Sequence, residues 1–294
     1  MRPLRTLLIY LAFVFIGGAL LAPWLYWLVQ WAAPHASWLK DPAASPFHRF
    51  EDRAFLLCAL AGLWPLLRHL GGVSWPGLGV VRPAAGWRKA LAGFLLGLVS
   101  LALVIGLAVV FGGRDLNHDL PGAVLGRKLI GAALTAVMVA VVEEILFRGG
   151  IFGGLRRVFD WKFALVLSSV AYALVHFLER AELQGDVTWL SGLKLLPLML
   201  RGFGDVYALV PGFFSLTLAG GLLALAYQRT GDLNYSIGLH AGWVFCIKIS
   251  GVLTSVPGAN TWFWGTGKLF DGWLAFLVLM AMAPVFSRLL PKRK

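Results

Sequence analysis

The chain has 294 residues, of which 59% are apolar and only 14% are charged, and its mean hydropathy is +0.78. This composition lies well outside the range of water-soluble globular proteins and excludes a soluble fold. The formal charge of +12 does not indicate a nucleic-acid partner, because Lys and Arg stand in short groups between apolar runs rather than on one basic face. We therefore predict that the chain resides in a lipid bilayer and binds no nucleic acid.

Apolar runs recur along the whole chain, and they approach or reach the roughly 20 residues that a helix needs to cross the hydrocarbon core. They predict an all-α, polytopic transmembrane helix bundle of about eight spans, with a shorter interfacial or re-entrant piece at 187–200. The predicted spans are residues 6–29, 53–70, 88–111, 129–157, 162–179, 206–228, 234–251 and 269–290.

Basic residues cluster in alternate connections of this predicted bundle. They precede the first run, follow the second and the fourth, and close the sequence. These residues are Arg2, Arg5, Arg68, Arg82, Arg88, Lys89, Arg156, Arg157, Lys162, Arg288, Lys292, Arg293 and Lys294. Under the positive-inside rule such connections face the cytoplasm. We predict a multi-pass protein of the cell (inner) membrane with both termini cytoplasmic.

Glu143, Glu144 and Arg148 interrupt an otherwise apolar predicted helix. An ionisable group at the centre of a transmembrane helix costs roughly 2.5–3.5 kcal/mol, so the cluster predicts a partnered functional site that faces the bundle interior. Neighbouring helical positions point about 100° apart, so the two glutamates should have different roles. The four-residue spacing of Glu144 and Arg148 predicts an ion pair, which leaves Glu143 to face a cavity.

Two of the six histidines, His176 and His240, fall within apolar runs, whereas the other four lie in connections or near helix ends. A carboxylate in a low dielectric is a strong base once it is ionised, and an imidazole nearby can bias its protonation. Glu143 and the two histidines could thus meet from three helices. The same residues could instead hydrogen-bond across helices and only stabilise the bundle, at about 1 kcal/mol per pair, but their number favours a site.

The pattern Glu-Glu-x-x-x-Arg at 143–148, the aromatic-x-x-x-His from Tyr172 to His176 and the later His240 resemble the CPBP family (CAAX protease and bacteriocin-processing) of intramembrane glutamic endopeptidases. That family includes type II CAAX prenyl endopeptidases and bacterial proteins linked to bacteriocin processing and self-immunity. The resemblance covers about residues 129–250 and implies an endopeptidase that acts on peptide or membrane-protein substrates. It divides the chain into N-terminal transmembrane helices and loops at 1–128, a CPBP-like catalytic core at 129–251, and a C-terminal helix with a basic tail at 252–294.

The resemblance also implies roles for single residues. By position, Glu143 activates a water molecule, His176 helps to orient or deprotonate it, and His240 stabilises the oxyanion, with no cofactor. Glu144, Arg148, Tyr172 and Trp243 are the expected supporting residues.

Two positions depart from the family pattern. Tyr172 stands where the family usually has Phe, and Val244 stands where the family usually has Asn. Loss of an oxyanion donor costs about 10²–10³ in turnover, so either the activity is low or another donor, Trp243 or Asn234, replaces the amide.

The sequence also contains residues that could form other kinds of site. Glu143, His176 and His240 could bind Zn²⁺ as three ligands, although no His-Glu-x-x-His sequence occurs. The Gly-x-Gly-Asp pattern at 202–205 is typical of aspartyl proteases, but Asp205 lies at a predicted helix start and no second membrane Asp accompanies it. Ser191 and Ser250 lack the first glycine of a rhomboid-like Gly-x-Ser-Gly site. A non-catalytic scaffold or bacteriocin-immunity-type protein is the remaining alternative, and Val244 is its best support.

Overall fold

The computed structural model describes residues 2–69, 76–80, 83–117, 122–258 and 260–290. Over these residues the predicted all-α polytopic bundle is confirmed. Several positions used in the sequence predictions lie outside the described residues: Arg82, His118 and the basic tail at 292–294.

Helices make up most of the described chain. The helices are α1 (Arg2–Ala12), α2 (Gly18–Ala32), α3 (Lys40–Ala43), α4 (His48–His69), α5 (Pro83–Val110), α6 (Gly122–Glu144), α7 (Gly153–Leu155), α8 (Trp161–Val175), α9 (Ser191–Met199), α10 (Val206–Thr230), α11 (Asn234–Leu253), α12 (Thr261–Trp264) and α13 (Trp273–Leu289). π-Helical segments occupy Phe13–Gly17 and Ile145–Phe152, and 3₁₀ turns occupy Ala33–His35, Ser37–Leu39, Pro76–Leu78 and Leu200–Phe203. Strand β1 (Asp115–Leu116) pairs antiparallel with β2 (Thr254–Ser255).

Each predicted span contains a helix, but several helices differ from the apolar run that predicted them. α4, α5 and α6 begin at His48, Pro83 and Gly122, ahead of the predicted starts at 53, 88 and 129. The added turns of α4 and α6 contain charged residues such as Glu51 and Arg127, which can continue a helix at a membrane interface without adding to an apolar run. α8 ends at Val175 rather than at 179.

The length and composition of the helices are those of a multi-pass membrane protein. Among the described residues, five helical stretches are long and apolar enough to cross a bilayer: Arg5–His35, Gly86–Val110, Val124–Leu155, Val206–Thr230 and Asn234–Leu253. α8 and α13 are shorter apolar helices. The predicted total of about eight spans remains a prediction.

The chain divides into two compact units. The first comprises Met1–Val73 and His176–Asp205. In this unit α2 packs against α4 and α9. Ala22, Ala54 and Leu195 are buried where these helices meet.

The second unit comprises Ser74–Val175 and Val206–Lys294, and in it α11 packs against both α5 and α6. Small residues bring α5 and α11 together. Gly93 and Gly97 on α5 and Gly238 and Gly242 on α11 lie so close to the opposite backbone that a Cβ at any of them would overlap it. Glycines spaced four apart let transmembrane helices approach in this way. The contact fixes the position of His240, which lies between the two glycines of α11.

Substituting Gly238 by alanine is therefore expected to destabilise the second unit. Its Cβ would overlap the carbonyl oxygen of Ala90, so α5 and α11 would have to separate. Overpacking of this kind typically costs about 1–3 kcal/mol. The measurement is the free energy of unfolding of the purified protein by SDS titration in mixed micelles. Gly251→Ala is the matched control on the same helix, because no atom lies within 4 Å of its added Cβ; an equal loss in both variants would contradict the prediction.

Candidate active site

Glu143 and Glu144 are the last two residues of α6, where the helix changes its winding. The chain continues without a break into the π-helix Ile145–Phe152, which contains Arg148. π-Helical segments are rare in proteins, and those that occur are often found at functional sites. The apolar run 129–157 predicted a single regular helix, because nothing in its apolar spacing marks the change of winding.

Glu144 and Arg148 form the ion pair that their spacing predicts. The Arg148 Nη1 donates to Glu144 Oε1 at 2.8 Å, and the side chains are 2% and 0% exposed. Arg148 Nη2 also donates to the carbonyl oxygen of Gly220 at 3.3 Å. Its guanidinium lies 4.4 Å from the ring centroid of Tyr172, within cation–π distance. A charge pair with this degree of burial depends on both partners for its stability.

His240 lies on α11 and contacts both glutamates. Its Nδ1 is 3.0 Å from Glu144 Oε1, and its Nε2 is 3.8 Å from Glu143 Oε2. When Nδ1–H donates to Glu144, the ring is held with Nε2 directed toward Glu143. Glu144 thus orients the imidazole in addition to pairing with Arg148. The sequence did not indicate this second role, because 96 residues separate Glu144 and His240.

Glu143 is the more accessible of the two glutamates. Its side chain is 29% exposed, whereas that of Glu144 is fully buried. The two neighbouring glutamates therefore lie in different surroundings, and the separate roles predicted for them stay a prediction. A partly exposed carboxylate beside an imidazole is suited to accept a proton from water.

Tyr172 lies on α8 and reaches the same histidine. Its hydroxyl oxygen is 3.4 Å from His240 Nε2, and the residue is 4% exposed. The ring packs edge-on against Phe147 with 5.1 Å between centroids. The hydroxyl therefore lies at the nitrogen of His240 that faces Glu143.

His176 immediately follows the last residue of α8, four residues after Tyr172. It belongs to the first compact unit, whereas Glu143, Glu144, Tyr172 and His240 belong to the second. The role that the resemblance implies for His176 stays a prediction.

Residues 125–246, which are less than half of the chain, match the family model described as Type II CAAX prenyl endopeptidase Rce1-like. The chain carries an Rce1-like domain. The domain is consistent with membership of the CPBP family, as the sequence motifs predicted, and it indicates a CAAX protease-type membrane endopeptidase. No curated protein and no solved structure matches the chain.

Two further residues of the Rce1-like domain were candidate donors to an oxyanion. The indole Nε1–H of Trp243 donates to Ser100 Oγ at 2.9 Å. The amide Nδ2 of Asn234 donates to Asp232 Oδ1 at 3.1 Å. Either side chain would have to give up this hydrogen bond to act on a substrate.

The Rce1-like domain also contains residues of the rival sites. Asp205 directly precedes α10, as the sequence predicted. The Ser191 hydroxyl accepts a hydrogen bond from the backbone N–H of Thr188 at 2.8 Å. Within the described part of the chain, no group of three or more His, Cys, Asp and Glu side chains is arranged to hold a metal ion. The expectation that the protein needs no cofactor stays a prediction.

Proposed function

We propose that the chain is an intramembrane endopeptidase in which Glu143 activates a water molecule for attack on a peptide bond. One observation carries the proposal: Glu143 Oε2 and His240 Nε2 approach to 3.8 Å inside the Rce1-like domain. The buried Glu144–Arg148 pair supports it, because Glu144 also orients the imidazole. The arrangement combines a general base with an oriented hydrogen-bonding group, as peptide hydrolysis requires.

Glu143 and His240 together can carry the proton transfer and the charge stabilisation of the reaction. Glu143 accepts a proton as the water oxygen bonds to the carbonyl carbon, and the carbonyl oxygen becomes an oxyanion. A protonated Nε2 of His240 would stabilise that charge by donating a hydrogen bond. The intermediate collapses with cleavage of the C–N bond, and the proton on Glu143 passes to the leaving amine. By the family resemblance, His176 would orient the attacking water.

The proposal extends to location and substrate. We place the protein in the cell (inner) membrane with both termini in the cytoplasm, on the distribution of basic residues. Cleavage close to the cytoplasmic leaflet would place the reaction near the basic connection that contains Arg156 and Arg157. Such a connection attracts anionic headgroups or the acidic tail of a substrate. A peptide or membrane protein is the proposed substrate, and a C-terminal CAAX peptide is the class that the family description suggests.

The proposal is tested by comparing membranes from cells that express the wild-type chain with membranes that contain Glu143→Gln. Mass spectrometry of their peptides should show cleavage products that depend on the Glu143 carboxylate, and these products would name the substrate. Glu182→Gln is the matched control, because it makes the same substitution at an exposed position. An identical set of peptides in the wild type and the Glu143→Gln variant would contradict the proposal.

A non-catalytic scaffold is the second candidate, and Val244 is the observation that favours it. A scaffold retains its partners when Glu143→Gln and His176→Ala are introduced, because it needs only the folded bundle. An enzyme loses its cleavage products in both variants while expression and folding are preserved.

Removal of metal is expected to leave the cleavage rate unchanged. The proposed base is a carboxylate that accepts the proton directly, so no Zn²⁺ is needed to activate the water. The check is the rate before and after EDTA treatment of the purified protein, together with its zinc content. Loss of activity on chelation and recovery with Zn²⁺ would instead support the three-ligand zinc alternative.

A further inference from the structure

We propose that Tyr172 is a further catalytic residue, whose hydroxyl donates the oxyanion hydrogen bond that Val244 cannot supply. The inference rests on the proposed peptidase function. It extends that function by assigning a role to a hydroxyl group that the usual Phe of the family lacks.

The first line of evidence is the position of the hydroxyl. It lies 3.4 Å from His240 Nε2, and that same nitrogen lies 3.8 Å from Glu143 Oε2. A phenol O–H at this point borders the space where a carbonyl oxygen would meet His240. A donor has to point at the position that the oxyanion occupies, and Tyr172 lies beside it.

The second line of evidence is the rigidity of the Tyr172 ring. Phe147 packs against it edge-on, and the Arg148 guanidinium lies 4.4 Å from its centroid. Arg148 is itself held by Glu144 at 2.8 Å. A donor held in this way needs little rearrangement when the oxyanion forms, which is the condition under which such hydrogen bonds accelerate a reaction most.

The third line of evidence is the state of the other candidate donors. Trp243 donates to Ser100, and Asn234 donates to Asp232, and neither hydrogen bond involves His240. The Tyr172 hydroxyl is hydrogen-bonded to His240 Nε2 itself, and it can redirect its O–H to the oxyanion once Nε2 carries a proton. Val244 has no polar atom in its side chain, and it packs with the small-residue cluster of α6 and α11 that contains Ala140.

Tyr172 on α8 contacts His240, and Val244 follows His240 by about one turn of α11. Val244 packs against the cluster that contains Ala136 and Ala140 of α6. It follows His240 by four residues, so an amide at 244 would lie on the same side of α11 as His240. The Phe and Asn that are usual in the family become Tyr172 and Val244 in this chain. The hydrogen-bond donor to the oxyanion thus lies on α8 in this chain rather than on α11.

The Tyr172 proton stays on its oxygen throughout the reaction. The O–H donates to the oxyanion when the water oxygen bonds to the carbonyl carbon, and it is released when the C–N bond breaks. Glu143 alone carries the proton from the water to the amine. Removal of the hydroxyl should therefore lower turnover without changing which bond is cleaved.

The test is a double-mutant cycle of Tyr172→Phe and Val244→Asn in the full chain. Rates are measured as the appearance of Glu143-dependent peptides in isolated membranes that contain equal amounts of each variant. We expect Tyr172→Phe to lower the rate by about 10²-fold, the lower end of the usual effect of an oxyanion donor. Val244→Asn alone should change it by less than about tenfold, and the double variant should recover most of the loss.

Three outcomes would overturn the inference. Tyr172→Phe could retain the wild-type rate, or the two substitutions could act independently, so that the double variant is no faster than Tyr172→Phe. A rate loss that accompanies a lower thermal unfolding midpoint in Tyr172→Phe, with no recovery in the double variant, would show that Tyr172 serves only in packing.

If the wild type yields no Glu143-dependent peptides, the proposed function itself fails, and the inference fails with it. That result differs from a failure of the inference alone, in which wild-type products appear but Tyr172→Phe does not slow them.

Discussion

Glu143→Gln is expected to lower the cleavage rate by about 10²–10⁴-fold, the usual contribution of a positioned general base. Glutamine keeps the size of the side chain and one acceptor oxygen, but it cannot accept the proton of the attacking water. The partly exposed position of Glu143 implies little structural cost, in contrast to its buried neighbour Glu144. The rate of product formation in membranes measures the effect.

The control for this prediction separates loss of chemistry from loss of folding. Glu143→Gln should show the same expression level and the same thermal unfolding midpoint as the wild type, and Glu182→Gln should retain the full rate. A Glu143→Gln variant that keeps more than a tenth of the wild-type rate would show that the carboxylate is not the base.

Arg148→Met is expected to destabilise the protein by about 3–5 kcal/mol, the usual effect of breaking a buried ion pair from one side. The substitution leaves the carboxylate of Glu144 fully buried, and only His240 remains close enough to compensate its charge. It also removes the hydrogen bond to the Gly220 carbonyl and the cation over the Tyr172 ring. The free energy of unfolding by SDS titration measures the effect.

Two further variants make the Arg148 prediction specific. Arg127→Met makes the same change at an exposed position of α6 and should alter stability by no more than about 0.5 kcal/mol. Glu144→Gln combined with Arg148→Met removes both charges and should recover part of the lost stability. The prediction fails if Arg148→Met and Arg127→Met are equally stable.

Much of the architecture could be predicted from the sequence, because a helix that crosses a bilayer is predominantly apolar over the part that lies in the hydrocarbon. Hydrocarbon offers no hydrogen bonds to the backbone, and apolar runs of about 20 residues such as 206–228 and 234–251 have the length of a spanning helix, so they predict the helices α10 and α11. For the same reason Glu143, Glu144 and Arg148 could be identified as candidate site residues, since placing a charged side chain at that depth of the bilayer costs free energy. The i,i+4 pair followed from helical geometry, which depends only on local spacing.

Contacts between helices that lie far apart in the sequence were decided by the tertiary structure alone. The glycine contact between α5 and α11 sets the position of His240, and neither helix by itself reveals its partner. Only the packed bundle shows that Glu144 orients His240 and that the Tyr172 hydroxyl reaches Nε2. Composition and periodicity determine which segments are helical and which charges need partners. Which side chain meets which depends on helix rotation, close packing and the π-helical winding after Glu144, and these arise from long-range contacts that local sequence does not encode.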